Sequence, residues 1–216
     1  NITGINGGVA ILAACDSGGT TNLVDGTMTL GAYGRFTTNG QPLEMGLHAA
    51  GGLINVTAAT SHLQTGDLTV DKGGYAAAVE FRAVNSTSYA IQFGNVTINA
   101  NGRIENVGVG ARQYVLGNWT DNTSAAAYGY IRGTASAMVF FSNQFGANQI
   151  ITVNDPSNHP FGYFYVGLNG LSNSVSMMSN INAFYGRIYR PLNVGAHTFT
   201  TESTCYVYSE GRINLY

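Results

Sequence analysis

The sequence predicts an all-β protein: an antiparallel, jelly-roll-like β-sandwich head preceded by a short, glycine-rich β segment. Three observations carry this expectation. Only 9% of the 216 residues are charged, with a single lysine at Lys72, while 29 are glycine. Strong helix formers other than Ala are scarce, and runs rich in Val, Ile, Thr, Tyr and Phe are broken by Gly or Asn-Gly about every eight to twelve residues. The last ninety or so residues are dominated by aromatic strand-like runs, drawing on 13 Tyr and 10 Phe in the chain.

Residues 1–74 form the glycine-rich segment. Its strand-like pieces at 9–14, 27–30, 53–57 and 67–70 are too short to make a deep core alone, and suit pairing with neighbouring chains or covering the end of a larger domain. The string from Leu43 through Glu44, Met45 and His48 to Ala50 fits one or two helical turns ended by Gly51 and Gly52. The stretch 76–79 is the other helix candidate.

Residues 75–216 form the head. Consecutive strands are expected at 75–84, 88–93, 96–100 and 103–109, the last two joined by Asn101-Gly102 as a type I′ hairpin. Val96 and Ile98 fall on one face of their strand and Ile104 begins the matching apolar face of the next, so one side is core and the other wet. Strands follow at 127–131, 137–142, 149–153, 162–168, 175–178, 183–189, 198–200, 205–208 and 212–216, separated by turns such as Asn154-Asp155-Pro156 and Asn169-Gly170. The run from Phe161 to Val166 is apolar on both faces and is expected to be a central strand between two layers. A loose hydrophobic-Gly-hydrophobic cadence precedes residue 110, with no repeat of fixed length.

The net charge of −2 gives neither nucleic acid nor an anionic membrane a long-range attraction. The best apolar run, 9–15, is too short to span a bilayer, and no membrane insertion is expected. Beginning at Asn1, the chain reads as a processed product or a C-terminal piece of something longer. Cys15 and Cys205 belong to no short-spaced pair; two free thiols and a bridge tying the two ends both stay open.

No zincin, P-loop, nucleophile-elbow, dinucleotide or CxxC signature is present, so no catalytic residue and no cofactor are predicted. Glu80 and Glu105, facing each other across adjacent strands, would suit a glycosidase pair, but solvent-facing positions are the expectation for both. Asp67, Asp71 and the histidines at 48, 62, 159 and 197 match no metal-ligand spacing. Aromatic residues beside hydrogen-bonding groups suit sugars, whose C–H faces lie on rings while amides and charged groups take the hydroxyls. Tyr114, Asn118, Trp119 and Asp121 form one such group around the only tryptophan, in a turn-like loop, with a Trp119 folded back over the rim of the core as the alternative. Tyr185, Arg187 and Tyr189 form another on one strand face, where an arginine between two tyrosines can stack and hydrogen-bond. His159, before Pro160 in a turn, is a further candidate contact. Six Asn-x-Ser/Thr sequons, where chance in a chain this rich in Asn, Ser and Thr gives about four, are weak evidence for glycosylation.

In style the chain resembles the distal part of a viral fibre, most nearly a bacteriophage tail fibre or tailspike tip, with adenovirus-type fibre heads as a second likeness. Short β pieces such as Gly66-Asp67-Leu68-Thr69-Val70 and the stretch from Val96 to Ile104, low charge and an aromatic β head running to the C-terminus carry the likeness. The resemblance implies a homotrimer on the virion surface, outside the cell, that binds a host glycan or outer-membrane protein without enzymatic activity. It transfers no individual binding residue. Other classes that fit are a capsid, decoration or filament subunit, a bacterial adhesin or carbohydrate-binding module, and a glycan depolymerase.

Overall fold

The computed structural model describes residues 2–5, 9–11, 22–24, 27–31, 35–38, 40–45, 52–56, 62–71, 75–78, 91–99, 101–106, 112–133, 135–143, 146–167 and 173–215. Among them every strand pairing is parallel, and successive strands lie in different sheets. The chain therefore winds as a β-solenoid. The antiparallel sandwich is overturned by this pairing pattern.

Six coils have three sides. They are β1 (Ile2–Ile5), β2 (Val9–Ile11) and β3 (Asn22–Val24); β4 (Thr27–Leu30), β5 (Arg35–Thr37) and β6 (Leu43–Met45); and β7 (Leu53–Val56), β8 (His62–Gln64) and β9 (Leu68–Val70). Then come β10 (Tyr75–Ala78), β11 (Ile91–Phe93) and β12 (Val96–Ile98); β13 (Arg103–Asn106), β14 (Arg112–Val115) and β15 (Trp119–Asp121); and β16 (Gly129–Ile131), β17 (Met138–Phe141) and β18 (Asn148–Val153). The first strand of each coil stacks into sheet A, the second into sheet B and the third into sheet C. Beyond β18, among the described residues, only sheets B and C continue, through β19 (Phe161–Val166), β20 (Ser174–Met177), β21 (Ile181–Ile188) and β22 (Pro191–Asn193). β23 (Phe199–Thr201) and β24 (Cys205–Val207) both pair with β21, and β25 (Arg212–Asn214) ends sheet C. Strands from the two expected segments share sheets, β7 pairing β10 and β9 pairing β12.

Strands of three or four residues bury little individually, but stacking places each inward side chain between its equivalents above and below. In sheet C one inward column reads Leu43, Leu68, Val96, Trp119, Ile151 and Met177. In sheet B another reads Phe93, Val115, Phe141, Val166 and Ile188. Both belong to one continuous buried core. At the last coil the column is uncovered: Val207, paired above the buried Ile188, is 49% exposed.

The corner between sheets B and C is held by side-chain amides. Asn95 donates from its backbone and side chain to the Asp67 carboxylate, the Asn118 N–H donates to Asn95 Oδ1, and the Ile150 N–H donates to Asn118 Oδ1. Glycine is required beside this ladder: a Cβ on Gly94 would sit 2.6 Å from Asp67 Oδ1, and one on Gly117 2.4 Å from Asn95 Oδ1.

Several local expectations are corrected with the fold. Asn101 has the positive φ its turn requires, 66°, but the turn leads from sheet C into sheet A; β12 and β13 are not hairpin partners. The expected helix from Leu43 starts instead with strand β6, and 76–78 lie in strand β10, because both segments pair with strands of the neighbouring coils. Residues 46–51 and 79–90, with His48 and Glu80, lie outside the described residues. Phe161–Val166 is an interior strand, β19, between β17 and β21, with one face in the core and the other on the outer surface of sheet B.

Candidate functional site

The outer face of sheet B changes character along the solenoid. One outward column runs Thr37, Gln64, Gln92, Tyr114, Phe140, Tyr165, Arg187 and Tyr206. Beside it runs Arg112, Met138, Tyr163 and Tyr185. Polar in the early coils, the face becomes a strip of rings from β14 onward. The equivalent outward column of sheet C stays Glu44, Thr69, Thr97, Thr120 and Thr152.

The register of parallel strands sets ring on ring. Tyr114 stacks on Phe140 at 4.7 Å and Phe140 on Tyr165 at 4.1 Å. Tyr163 stacks on Tyr185 at 4.7 Å, and Tyr189 on Tyr208 at 4.0 Å with only 11° between the planes. The Arg187 guanidinium lies 5.5 Å from the centroids of both Tyr165 and Tyr185. Burial works against its charge, yet hydrogen bonds to the Tyr185 and Tyr189 hydroxyls and the nearby Tyr165 and Tyr208 oxygens hold it as a cation at any relevant pH. Burial pushes the Tyr165 hydroxyl up to about 12. Tyr208, hydrogen-bonded to Tyr189, is raised as well. The strip thus sets two arginines, Arg112 and Arg187, among tyrosine and phenylalanine rings, with Tyr206 51% and Tyr208 37% exposed at its end.

A second constellation lies inside. Asp121 occupies a position in a sheet C core column otherwise filled by Met45, Val70, Ile98 and Val153. Its carboxylate accepts from the Thr123 hydroxyl at 2.6 Å, the Thr123 N–H at 3.0 Å and the Tyr130 N–H at 2.9 Å, and faces His159 Nδ1 at 3.3 Å. His159 Nε2 faces the Ala125 carbonyl at 3.3 Å. Both ring nitrogens therefore meet acceptors, which calls for the doubly protonated imidazolium. Burial opposes that charge, but the Asp121 hydrogen bond and charge outweigh it and raise the His159 value. For Asp121 burial is likewise outweighed, by hydrogen bonds from His159, Thr123 and Tyr130, and its value is lowered. Gly129, at φ +76°, completes the cage; a Cβ there would lie 2.7 Å or less from Asp121, His159 and Thr123 atoms.

The residues singled out in the sequence thus separate into four places. Tyr185, Arg187 and Tyr189 share the outer strip, together with Tyr114, which is buried at its inner end. Asp121 and His159 come together, but as a fully buried pair. Asn118 belongs to the corner ladder. Trp119 is corrected from a turn to strand β15: it is 0% exposed, edge-to-face against Tyr130 and Phe161, where no ligand reaches it. The sequence reading missed Tyr163, Tyr165, Tyr206 and Tyr208, although their alternation in Tyr163-Phe164-Tyr165 and Tyr206-Val207-Tyr208 places each pair on one face.

Glu105 is tied to Arg103 at 2.6 Å. Cys205 is a free, half-buried cysteine, while Cys15 lies outside the described residues. Among the described residues no group of three His, Cys, Asp or Glu is placed to hold a metal ion, and no helix is long and apolar enough to cross a membrane. Comparison of the chain with family models, curated proteins and solved structures finds no match.

Proposed function

We propose that this chain is the receptor-binding part of a viral or phage surface fibre, and that it attaches to a cell-surface glycan through the tyrosine and arginine strip on sheet B. One observation carries the reading: the solenoid has no structural need for rings on an outer face, since sheet C manages with threonines, yet sheet B turns aromatic over its last coils. Tyrosine rings laid flat in register offer the C–H faces of successive sugars a continuous platform, and Arg187 and the phenols offer hydrogen bonds to hydroxyls. The low charge of the chain fits close packing of identical copies. A homotrimer belongs to the proposal, supported by the apolar Val207, Ile213 and Leu215 exposed at the last coil.

Binding to a panel of host-surface polysaccharides, measured with Tyr185→Ala and Tyr206→Ala variants, tests the reading. Each substitution is expected to weaken binding about tenfold, as loss of a stacked ring does, with an unchanged melting temperature for the exposed Tyr206→Ala. Full binding by both variants would remove the strip from the site.

A further inference from the structure

Beyond the strip, where sheet B turns into sheet C in the last coils, lies an open cleft of about 570 Å³ lined by Asn173, Ser174, Arg190, Pro191, Glu210 and Arg212 among others. Three strand starts build it, because Ser174 opens β20, Pro191 opens β22 and Arg212 opens β25, with Pro191 and Arg212 in register. Arg190 is fixed from two sides. Its side-chain stem packs where Gly167 leaves room, since a Cβ there would come within 2.3 Å of Arg190 Cγ, and its guanidinium is ion-paired with Glu210. Its Nε is buried without an acceptor. Arg212 is exposed and has no ion-pair partner among the described residues. The cleft therefore holds two cations against one carboxylate.

Its flanks suit a sugar. On the sheet B side, the stacked Tyr189 and Tyr208 stand immediately before Arg190 and two residues before Glu210 in the chain. On the sheet C side runs a band of hydroxyls and amides: Ser174 and Ser176 donate to Asn148 Oδ1, Asn193 donates to Ser176 Oγ at 3.1 Å, and Asn214 donates to Asn193 Oδ1 at 2.7 Å. A neutral saccharide would be served by the rings and amides alone. The excess cation asks for an anion on the ligand.

From this geometry, and resting on the glycan reading above, we propose that the corner cleft selects acidic saccharides, with Arg212 receiving the sugar carboxylate and the Arg190–Glu210 pair receiving neighbouring hydroxyls. Arginine meets a carboxylate with two parallel N–H donors, which a methyl ester cannot match in charge.

The test compares polygalacturonate, hyaluronan and polysialic acid, each as free acid and as methyl ester, on wild type, Arg212→Gln and Glu210→Gln. Wild type is expected to prefer at least one free acid over its ester about tenfold. Arg212→Gln should erase that preference while keeping ester binding, and Glu210→Gln, which frees the Arg190 charge, should strengthen free-acid binding several-fold. Glu210 is 62% exposed at its side chain, so its replacement leaves the core untouched. No preference for any free acid, or variants indistinguishable from wild type, would overturn the acidic-sugar assignment while ester binding through Tyr185 and Tyr206 left the strip standing. Absence of binding to every acid and ester would instead count against the glycan reading itself.

Discussion

At the scale of single residues, Trp119, Gly129 and the Asp121–His159 pair depart from plain aliphatic filling of the interior, and each has a distinct consequence. Trp119 replaces the aliphatic residues of its column and centres a cluster with Tyr130, Phe141 and Phe161, so Trp119→Ala is expected to cost about 3–5 kcal/mol in denaturant unfolding. A cost below about 1 kcal/mol would mean the indole is not in the core. Gly129 combines a left-handed backbone with a caged Cα, and Gly129→Ala should therefore destabilise more than Gly117→Ala, which faces a close contact at ordinary φ. Asp121 and His159 predict a pH window. The raised His159 contributes stability that is complete below its ordinary value of 6.5 and is lost as pH rises through its higher folded value. The lowered Asp121 contributes stability present above 3.8 and lost as pH falls through its folded value. The excess stability of wild type over His159→Gln, roughly 3 kcal/mol for a broken buried pair, should peak between these limits and shrink on the alkaline side. A pH-independent difference would contradict the imidazolium assignment. Asp121 and His159 read in the sequence as separate polar groups in turns; their burial and pairing were not legible, because 38 positions of chain separate them.

At the scale of elements, the corner ladder explains why the same short phrase returns. Gln64-Thr65-Gly66-Asp67-Leu68-Thr69-Val70 and Gln92-Phe93-Gly94-Asn95-Val96-Thr97-Ile98 occupy equivalent places, and Leu116-Gly117-Asn118-Trp119-Thr120-Asp121 follows. Glycine makes room, Asp or Asn bridges to the next coil, and the alternation that follows puts two side chains inward. The phrase was visible in the sequence, but its spacing varies: ladder partners are 28, then 23, then 32 residues apart. A repeat of fixed period was therefore absent, and the β alternation was assigned to hairpins instead. Asn118→Ala removes the acceptor for the Ile150 N–H and should cost about 1 kcal/mol, with faster amide exchange at Ile150 as the local signature. Unchanged exchange there would argue that the corner is held by the backbone alone.

At the scale of the whole molecule, strand positions along most of the chain were readable, and β4 falls on 27–30 as expected. Which strand lies beside which was not readable, since alternation with a period of two is the same in a sandwich and in a solenoid. The aromatic richness of the C-terminal part was equally plain, whereas its concentration on one outer face follows only from the coil register. Mass in solution checks the assembly proposed here: three copies support it and a monomer removes it. The architecture itself is tested most directly by distances between spin labels in a background with Cys15 and Cys205 replaced by serine. Glu44 and Thr152 lie four strand steps apart along sheet C, which sets about 19 Å between their backbones. Gln64 and Tyr206 lie six steps apart along sheet B, or about 29 Å. Distances that grow by one strand spacing per coil are the result the solenoid predicts, and pairs whose separation ignores the number of coils between them would contradict it.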